Sequence, residues 1–110
     1  MLARPGCGVS PTQRTLKKLK AEGWECAIVE KWNPWARIRQ DLFGLLDILA
    51  IKGKETLGVQ CTTLSNLGQR IEKFAQSDTT GKLRGAGWRL ECHGWRKLKT
   101  GWEAKVVDVS

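Results

Sequence analysis

Apolar residues concentrate in two neighbouring segments near the middle of the chain. Residues 41–52 and 56–63 are predicted to form two strands, and the glycine and lysine at positions 53 and 54 predict a tight turn between them. Polar side chains interrupt the second apolar run at Gln60 and Thr62. Because residues two apart on a strand point the same way, these side chains are expected to lie side by side. Asp47 of the first strand is positioned to project toward them.

Apolar positions recur at helical spacing on either side of this pair of strands. The first helix is predicted to begin with Ser10 as N-cap and Pro11 as its first residue, and to end at Gly23. A second helix is predicted over residues 65–76, with Ser65 as its cap. Its buried face is expected to consist of Leu67, Ile71, Phe74 and Ala75.

The remaining segments complete an α-β-β-β-α-β-β order. Residues 24–32, 88–95 and 102–109 are predicted strands, residues 35–40 a connection, and residues 77–87 a flexible loop. Residues 1–9 are expected to form a loose arm. The pattern predicts one α/β domain over residues 1–110, with a mixed sheet flanked by helices.

The charge of the chain indicates its class of partner. A net charge of +8 and a pI of about 9.7 favour a polyanion, nucleic acid first and an anionic membrane surface second. No apolar run approaches the roughly 20 residues of a membrane span, and the first residues lack the apolar core of a signal peptide. We therefore expect a cytoplasmic protein. The four cysteines contain no C-x-x-C pair, so we expect reduced thiols and no zinc site.

A carboxylate and a carboxamide at the ends of two buried strands suggest a cation site. Asp47 and Gln60 would cost free energy as unpaired buried polar groups, whereas a hard cation prefers oxygen ligands of this kind. The alternative is purely structural. In that case Asp47 caps a turn, and Gln60 and Thr62 form hydrogen bonds across strands.

The order of these motifs resembles the PD-(D/E)XK nuclease superfamily over about residues 10–76. The shared pattern is a helix, a strand, Gly44-x-x-Asp47 opening a strand, a hairpin into Gln60-x-Thr62, and a helix. The resemblance is closest to small resolvase-like and VRR-NUC-like members, including short phage-encoded proteins. It implies a restriction-endonuclease-like core, with Asp47 as the metal-binding acid. Gln13 stands where the first helix of this family often carries Glu or Gln.

The same resemblance implies Mg²⁺ or Mn²⁺ as cofactor, held by Asp47, the Gln60 side chain and the Cys61 backbone carbonyl. Gln60-x-Thr62 replaces the family's (Asp/Glu)-x-Lys, so one negative charge and one cation are missing. Three basic residues are candidates for the missing cation, namely Lys73, Arg70 and then Lys52. Two further acids, Glu30 and Asp41, are candidates to replace the lost negative charge. The implied catalytic set is Asp47, Gln60, Thr62 and Lys73.

Basic and aromatic residues outside this centre are the predicted nucleic-acid contacts. Tryptophan and arginine in the 35–40 connection can stack on bases and bind phosphates, although Trp35 could equally fold onto the edge of the core. The single histidine, His93, is expected at a surface or half-buried strand position. The predicted contacts are Gln13, Lys17, Trp35, Arg37, Arg39, Arg70 and Lys73.

These observations predict a metal-dependent DNA endonuclease acting on branched or single-stranded DNA, with a homodimer expected from the resemblance. One alternative is the same fold without catalysis, binding DNA or RNA. Another is a protein-binding domain whose positive charge is incidental.

Overall fold

The computed structural model describes residues 10–110, apart from the side chain of Arg39. The predicted arm at residues 1–9 lies outside the described residues. Helix α1 (Pro11–Ala21) comes first and is followed by five strands, two helices and a final pair of strands. The later elements are β1 (Glu25–Ile28), β2 (Lys31–Asn33), β3 (Ile38–Gln40), β4 (Ile48–Lys52), β5 (Glu55–Thr63), α2 (Leu67–Gln76), α3 (Asp78–Gly85), β6 (Arg89–Leu98) and β7 (Gly101–Asp108).

Five of the strands form a mixed sheet in the order β1-β4-β5-β6-β7. The pairing of β5 with β6 is parallel, and the other pairs are antiparallel. A parallel pair needs a long crossover connection, and here α2 and α3 provide it. The predicted α/β domain with a mixed sheet and flanking helices is confirmed at this level.

The two faces of the sheet support separate apolar layers. Alternation along β5 directs Leu57, Val59 and Cys61 toward α1, and Gln60 and Thr62 toward α2. The layer under α1 also contains Leu19, Ile48 and Ala50. The layer under α2 and α3 contains Leu45, Leu46, Leu67, Phe74, Leu83, Leu90 and Cys92.

The first helix matches its prediction, and the start of the second does not. Ser10 Oγ accepts a hydrogen bond from the Gln13 backbone N–H at 3.2 Å, and Gly23 follows the helix with φ +93°. Ser65 does not cap α2, because Asn66 holds the cap position. The Ser65 hydroxyl instead lies 3.0 Å from that of Thr63. Ser65 belongs to a 3₁₀ turn, Leu64–Asn66, that precedes α2. Ala75, predicted to be buried, is exposed.

The predicted strand over residues 24–32 is divided into two. Only β1 joins the large sheet, while β2 pairs with β3 in a separate hairpin, so the predicted connection over residues 35–40 contains a strand. The turn of the hairpin is stabilised by Asn33, whose Oδ1 accepts hydrogen bonds from the backbone N–H groups of Trp35 and Ala36 at 3.0 and 3.1 Å.

The predicted flexible loop over residues 77–87 is largely helix α3. Ser77 Oγ accepts a hydrogen bond from the Thr79 backbone N–H at 3.3 Å, and Asp78 lies in the first turn, where the helix dipole favours a negative charge. Thr80 and Leu83 are buried. The prediction of a loop rested on the three glycines at 81, 85 and 87, which have low helix propensity. It is wrong because the packing of Thr80 and Leu83 stabilises the helix.

Two glycine substitutions test this packing. A Cβ at position 58 would lie 2.7 Å from Cδ1 of the fully buried Leu46, so Gly58→Ala is expected to lower the free energy of unfolding by about 1–3 kcal/mol. Gly81→Ala is the matched control, since that site in α3 is open and alanine is the better helix former by about 0.5–1 kcal/mol. Urea unfolding of both variants measures whether each change lowers or raises the free energy of unfolding. Equal effects would contradict the packing.

Candidate metal centre

Asp47 lies directly before β4 and is held by the backbone on both sides. Its N–H donates to the Val59 carbonyl at 2.9 Å, and its carbonyl accepts from the Val29 N–H at 2.8 Å. The side chain is 3% exposed. The backbone of the sheet therefore fixes where this carboxylate lies.

Two hydrogen bonds from β5 reach the Asp47 carboxylate. Its Oδ2 accepts from Gln60 Nε2 and from the Cys61 backbone N–H, each at 2.8 Å. The predicted proximity of Asp47 and Gln60 is confirmed, and their role as metal ligands stays a prediction. Thr62 is buried on the same side of β5, where its hydroxyl carries no charge.

The β2–β3 hairpin brings two further acids, Glu30 and Asp41, toward each other. Lys31 pairs with Gln40 at the base of the hairpin. Extending this antiparallel register by one residue places Glu30 opposite Asp41. A hairpin that sequence patterns did not predict therefore joins two acids that are eleven positions apart in the chain.

A tight turn brings Asp41 to Asp47. Leu42 and Leu46 form an antiparallel bridge, and their backbones exchange hydrogen bonds at 2.9 and 3.0 Å. Between them Phe43 and Gly44 adopt φ values of +57° and +69°. Continuing the bridge outward by one residue sets Asp41 opposite Asp47.

The three acids form one cluster, which we call the acidic cluster (Glu30, Asp41 and Asp47). One carboxylate oxygen from each lies within 4.8 Å of the other two. The sequence singled out Glu30 and Asp41 as spare carboxylates, and the structure places both beside Asp47. Like charges this close repel one another unless protons or a cation neutralise them.

The pKa of Asp47 reflects this crowding. Burial raises it most, followed by a hydrogen bond with the Asp41 side chain, and the N–H of Cys61 opposes the rise. The charges of Asp41 and Glu30 raise it further, and the result is a pKa of about 8. Asp47 therefore shares or holds a proton at neutral pH in the metal-free protein.

The side chains at the centre fit a hard divalent cation. Beside the carboxylates lies the Gln60 carboxamide, whose Nε2 donates to Asp47 and whose buried Oε1 has no hydrogen-bond partner among residues 10–110. A carboxamide can present either its oxygen or its nitrogen to a neighbour by rotating about its last torsion. An oxygen-only donor set suits Mg²⁺ or Mn²⁺ rather than zinc. The set differs from the predicted one, because Glu30 and Asp41 supply the negative charge that Gln60 lacks.

Burial disfavours the thiolate form of the thiols near the centre. Burial raises the pKa of Cys61, whose side chain points toward α1 and contacts Thr15 and Thr12. Burial also raises the pKa of Cys92 to about 12. Cys26, Cys61 and Cys92 are all free, as predicted, while Cys7 lies outside the described residues.

Two of the three basic residues predicted to supply the missing cation, Lys73 and Arg70, lie on α2 near the acidic cluster. Lys73 Nζ on α2 is 3.7 Å from Asp41 Oδ2. Arg70, one turn earlier, lowers the pKa of Cys92 by its charge, and its buried Nε has no partner in the described part of the chain. Lys52 is ruled out, because it donates to the Glu22 carbonyl at 2.8 Å at the opposite end of β4.

The predicted nucleic-acid contacts do not form a single surface. Gln13 and Lys17 are on α1, which covers one face of the sheet, whereas Arg70 and Lys73 are on α2 against the other. Trp35 and Arg37 are exposed at the turn of the β2–β3 hairpin, so the alternative of a Trp35 folded onto the core is wrong. For Arg39 the structure describes only the backbone, within β3.

His93 lies opposite Cys61 on the neighbouring strand β6, and its predicted surface or half-buried position is wrong. It is fully buried on β6, and its Nε2 lies 2.9 Å from Glu91 Oε1. The hydrogen bond from His93 is the main cause of the lowered pKa of Glu91. Packing against β5 and β7 in the middle of the sheet explains the burial.

Comparison with protein-family models, with curated proteins and with solved structures finds no match to this chain. Among the helices of residues 10–110, none has the length and apolar character needed to cross a lipid bilayer.

The raised pKa of Asp47 predicts how stability changes with pH in the metal-free protein. Between about pH 4 and pH 8 the folded state keeps a proton that the unfolded state has released, so the free energy of unfolding falls as the pH rises. The limiting slope for one proton is about 1.4 kcal/mol per pH unit. Asp47→Asn cannot ionise and is expected to flatten this dependence. Urea unfolding in chelator from pH 5 to pH 8 compares the two proteins, and parallel curves would contradict the assignment.

Proposed function

We propose that this chain is a divalent-metal-dependent endonuclease that hydrolyses phosphodiester bonds in DNA. The observation that carries the proposal is the acidic cluster, which joins a buried carboxamide at one edge of a strongly basic domain. Three acids within reach of one another can hold a divalent cation, and the net charge of +8 favours a polyanionic substrate.

The finer fold assignment is a restriction-endonuclease-like core of the PD-(D/E)XK type. Three features support it. An antiparallel trio (β1, β4 and β5) follows α1, a helical crossover leads into the parallel strand β6, and Asp47 opens the central strand of the trio. The same resemblance adds a homodimer to the proposal, and the cytoplasmic location expected from the sequence stays part of it.

Each residue of the cluster has a role in this proposal. Asp47, Asp41 and Glu30 would hold the metal ion through carboxylate oxygens, and Gln60 would add a neutral oxygen after rotation of its carboxamide. The predicted use of the Cys61 carbonyl is retained as a proposal. When bound, Mg²⁺ or Mn²⁺ polarises a phosphate oxygen and lowers the pKa of a coordinated water.

The basic residues of α2 would bind the phosphate. Lys73 is half-exposed and its only described ion pair is the long one with Asp41, so its flexible side chain can turn toward a substrate phosphate. Arg70 offers a half-buried guanidinium from the same helix. These two cations would take the place of the lysine that the resemblance puts at Thr62, and Thr62 itself would only pack beside Gln60.

Cleavage assays test the proposal directly. Wild-type protein with Mn²⁺ is expected to cut labelled branched, single-stranded or duplex DNA, and Asp47→Asn is expected to reduce the rate at least about 100-fold. Glu55→Gln is the matched control, since it removes a carboxylate from the opposite end of β5, where among residues 10–110 Glu55 pairs with Arg89. Cutting that survives Asp47→Asn would refute this centre.

Metal binding can be measured without activity. Mn²⁺ at 100 times its dissociation constant is expected to stabilise the folded chain by about 2.7 kcal/mol, seen as a rise in the melting temperature. Asp47→Asn and Asp41→Asn should abolish the rise, and Glu55→Gln should keep it. An equal rise in all four proteins would show that the ion binds elsewhere.

A second candidate function is nucleic-acid binding without catalysis. It is favoured by Thr62, a buried neutral residue where the resemblance expects lysine. A silent module would bind DNA or RNA with an affinity that falls steeply with salt, since phosphate contacts release counterions. Tight binding with no cutting in Mg²⁺ or Mn²⁺ would select this function over the first.

A further inference from the structure

The β2–β3 hairpin presents large apolar side chains to solvent. Trp35 is 94% exposed, and Trp32 and Ile38 are more than half exposed. Isolated exposed apolar residues are common, and the register puts Trp32 and Ile38 on opposite faces of the hairpin, so the candidate contact is Trp35 at its turn. We call residues 31–40 the hairpin arm.

The arm is held in shape at its turn. Asn33 Oδ1 accepts two backbone hydrogen bonds, and Arg37 takes the left-handed conformation with φ +56°, which is uncommon for a residue with a side chain. Trp35 is therefore presented on a fixed turn, so a ligand that binds it does not need to order the chain first.

The charges on the arm select its partner. Residues 31–40 contain Lys31, Arg37 and Arg39 and no acid. An exposed indole among cations suits a nucleic-acid base, whose ring stacks while its phosphates meet the positive charges. Two hairpin arms packed against each other are disfavoured as the occupant, because each arm carries positive charges and no acid.

The arm is joined directly to the acidic cluster. β2 begins immediately after Glu30, and β3 ends immediately before Asp41. Trp35 is five residues from Glu30 and lies in the turn after β2, so the two are at most about 16.5 Å apart at about 3.3 Å per residue. Along B-form DNA, at 3.4 Å per nucleotide, the same length covers about four to five nucleotides.

We propose that the hairpin arm captures an unpaired base of DNA on Trp35 and thereby sets the substrate class, a junction between single-stranded and duplex DNA. An unpaired base is the partner because stacking on a base inside an intact duplex would first require unstacking it. The proposal has a second part, which rests on the proposed function: the chain cuts about four to five nucleotides from the captured base.

Binding tests the first part without any catalysis. In the Asp47→Asn background with chelator present, a forked DNA is expected to bind more tightly than a blunt duplex of equal length. Adding Trp35→Ala should weaken fork binding about 5- to 150-fold and leave duplex binding unchanged, whereas Trp35→Phe should keep part of the preference.

The control for this experiment is Ile51→Ala, which truncates another exposed apolar residue on β4. It should keep the fork preference. Equal affinity of fork and duplex, or an unchanged preference in Trp35→Ala, would overturn the proposal. So would a dimer that Trp35→Ala dissociates without altering DNA binding, because the arm would then be a self-association surface.

Cleavage mapping tests the second part. On forks whose junction is moved one nucleotide at a time, wild-type cuts should follow the junction at the stated distance. Cuts that ignore the junction would overturn the expected distance between the captured base and the cut. If wild-type protein prefers forks through Trp35 yet never cuts, the nuclease function fails while the capture of an unpaired base stands.

Discussion

The arrangement of the centre depends on the hydrogen bonds that the buried Asp47 carboxylate accepts from β5. Gln60 and the backbone of Cys61 donate to the same oxygen, each at 2.8 Å. They hold the carboxylate in place but do not neutralise it, and burial beside two further acids raises its pKa to about 8. A carboxylate that is fixed in position, buried and crowded by other acids is costly in the free protein and suited to a divalent cation.

Much of the fold could be predicted because its signals are local. The cap at Ser10, the two-residue turn at 53–54 and the alternation along β5 depend on neighbouring residues alone. The β2–β3 hairpin could not be predicted, since strands of three residues give too little pattern. Helix α3 was missed because its glycines resemble a loop, although Thr80 and Leu83 pack into the core.

The candidate site shows the same division. Asp47 and Gln60 could be placed together from strand geometry, but the convergence of Glu30 with Asp41 follows from the hairpin register, which is a tertiary property. Choosing among cations also needed the structure. In the sequence, Lys73 and Arg70 on a predicted helix and Lys52 on a central strand were all candidates. The structure brings Lys73 and Arg70 near the centre through the packing of α2 on β5 and β6, and places Lys52 at the far end of β4.

The central claim is that the acidic cluster binds one divalent ion, and anomalous diffraction from a crystal soaked in Mn²⁺ near pH 8 tests it most directly. The account predicts a single strong anomalous peak within about 2.0–2.6 Å of carboxylate oxygens of Asp47 and at least one of Asp41 and Glu30. No peak at saturating Mn²⁺, or a peak bound only by other acids, would contradict it.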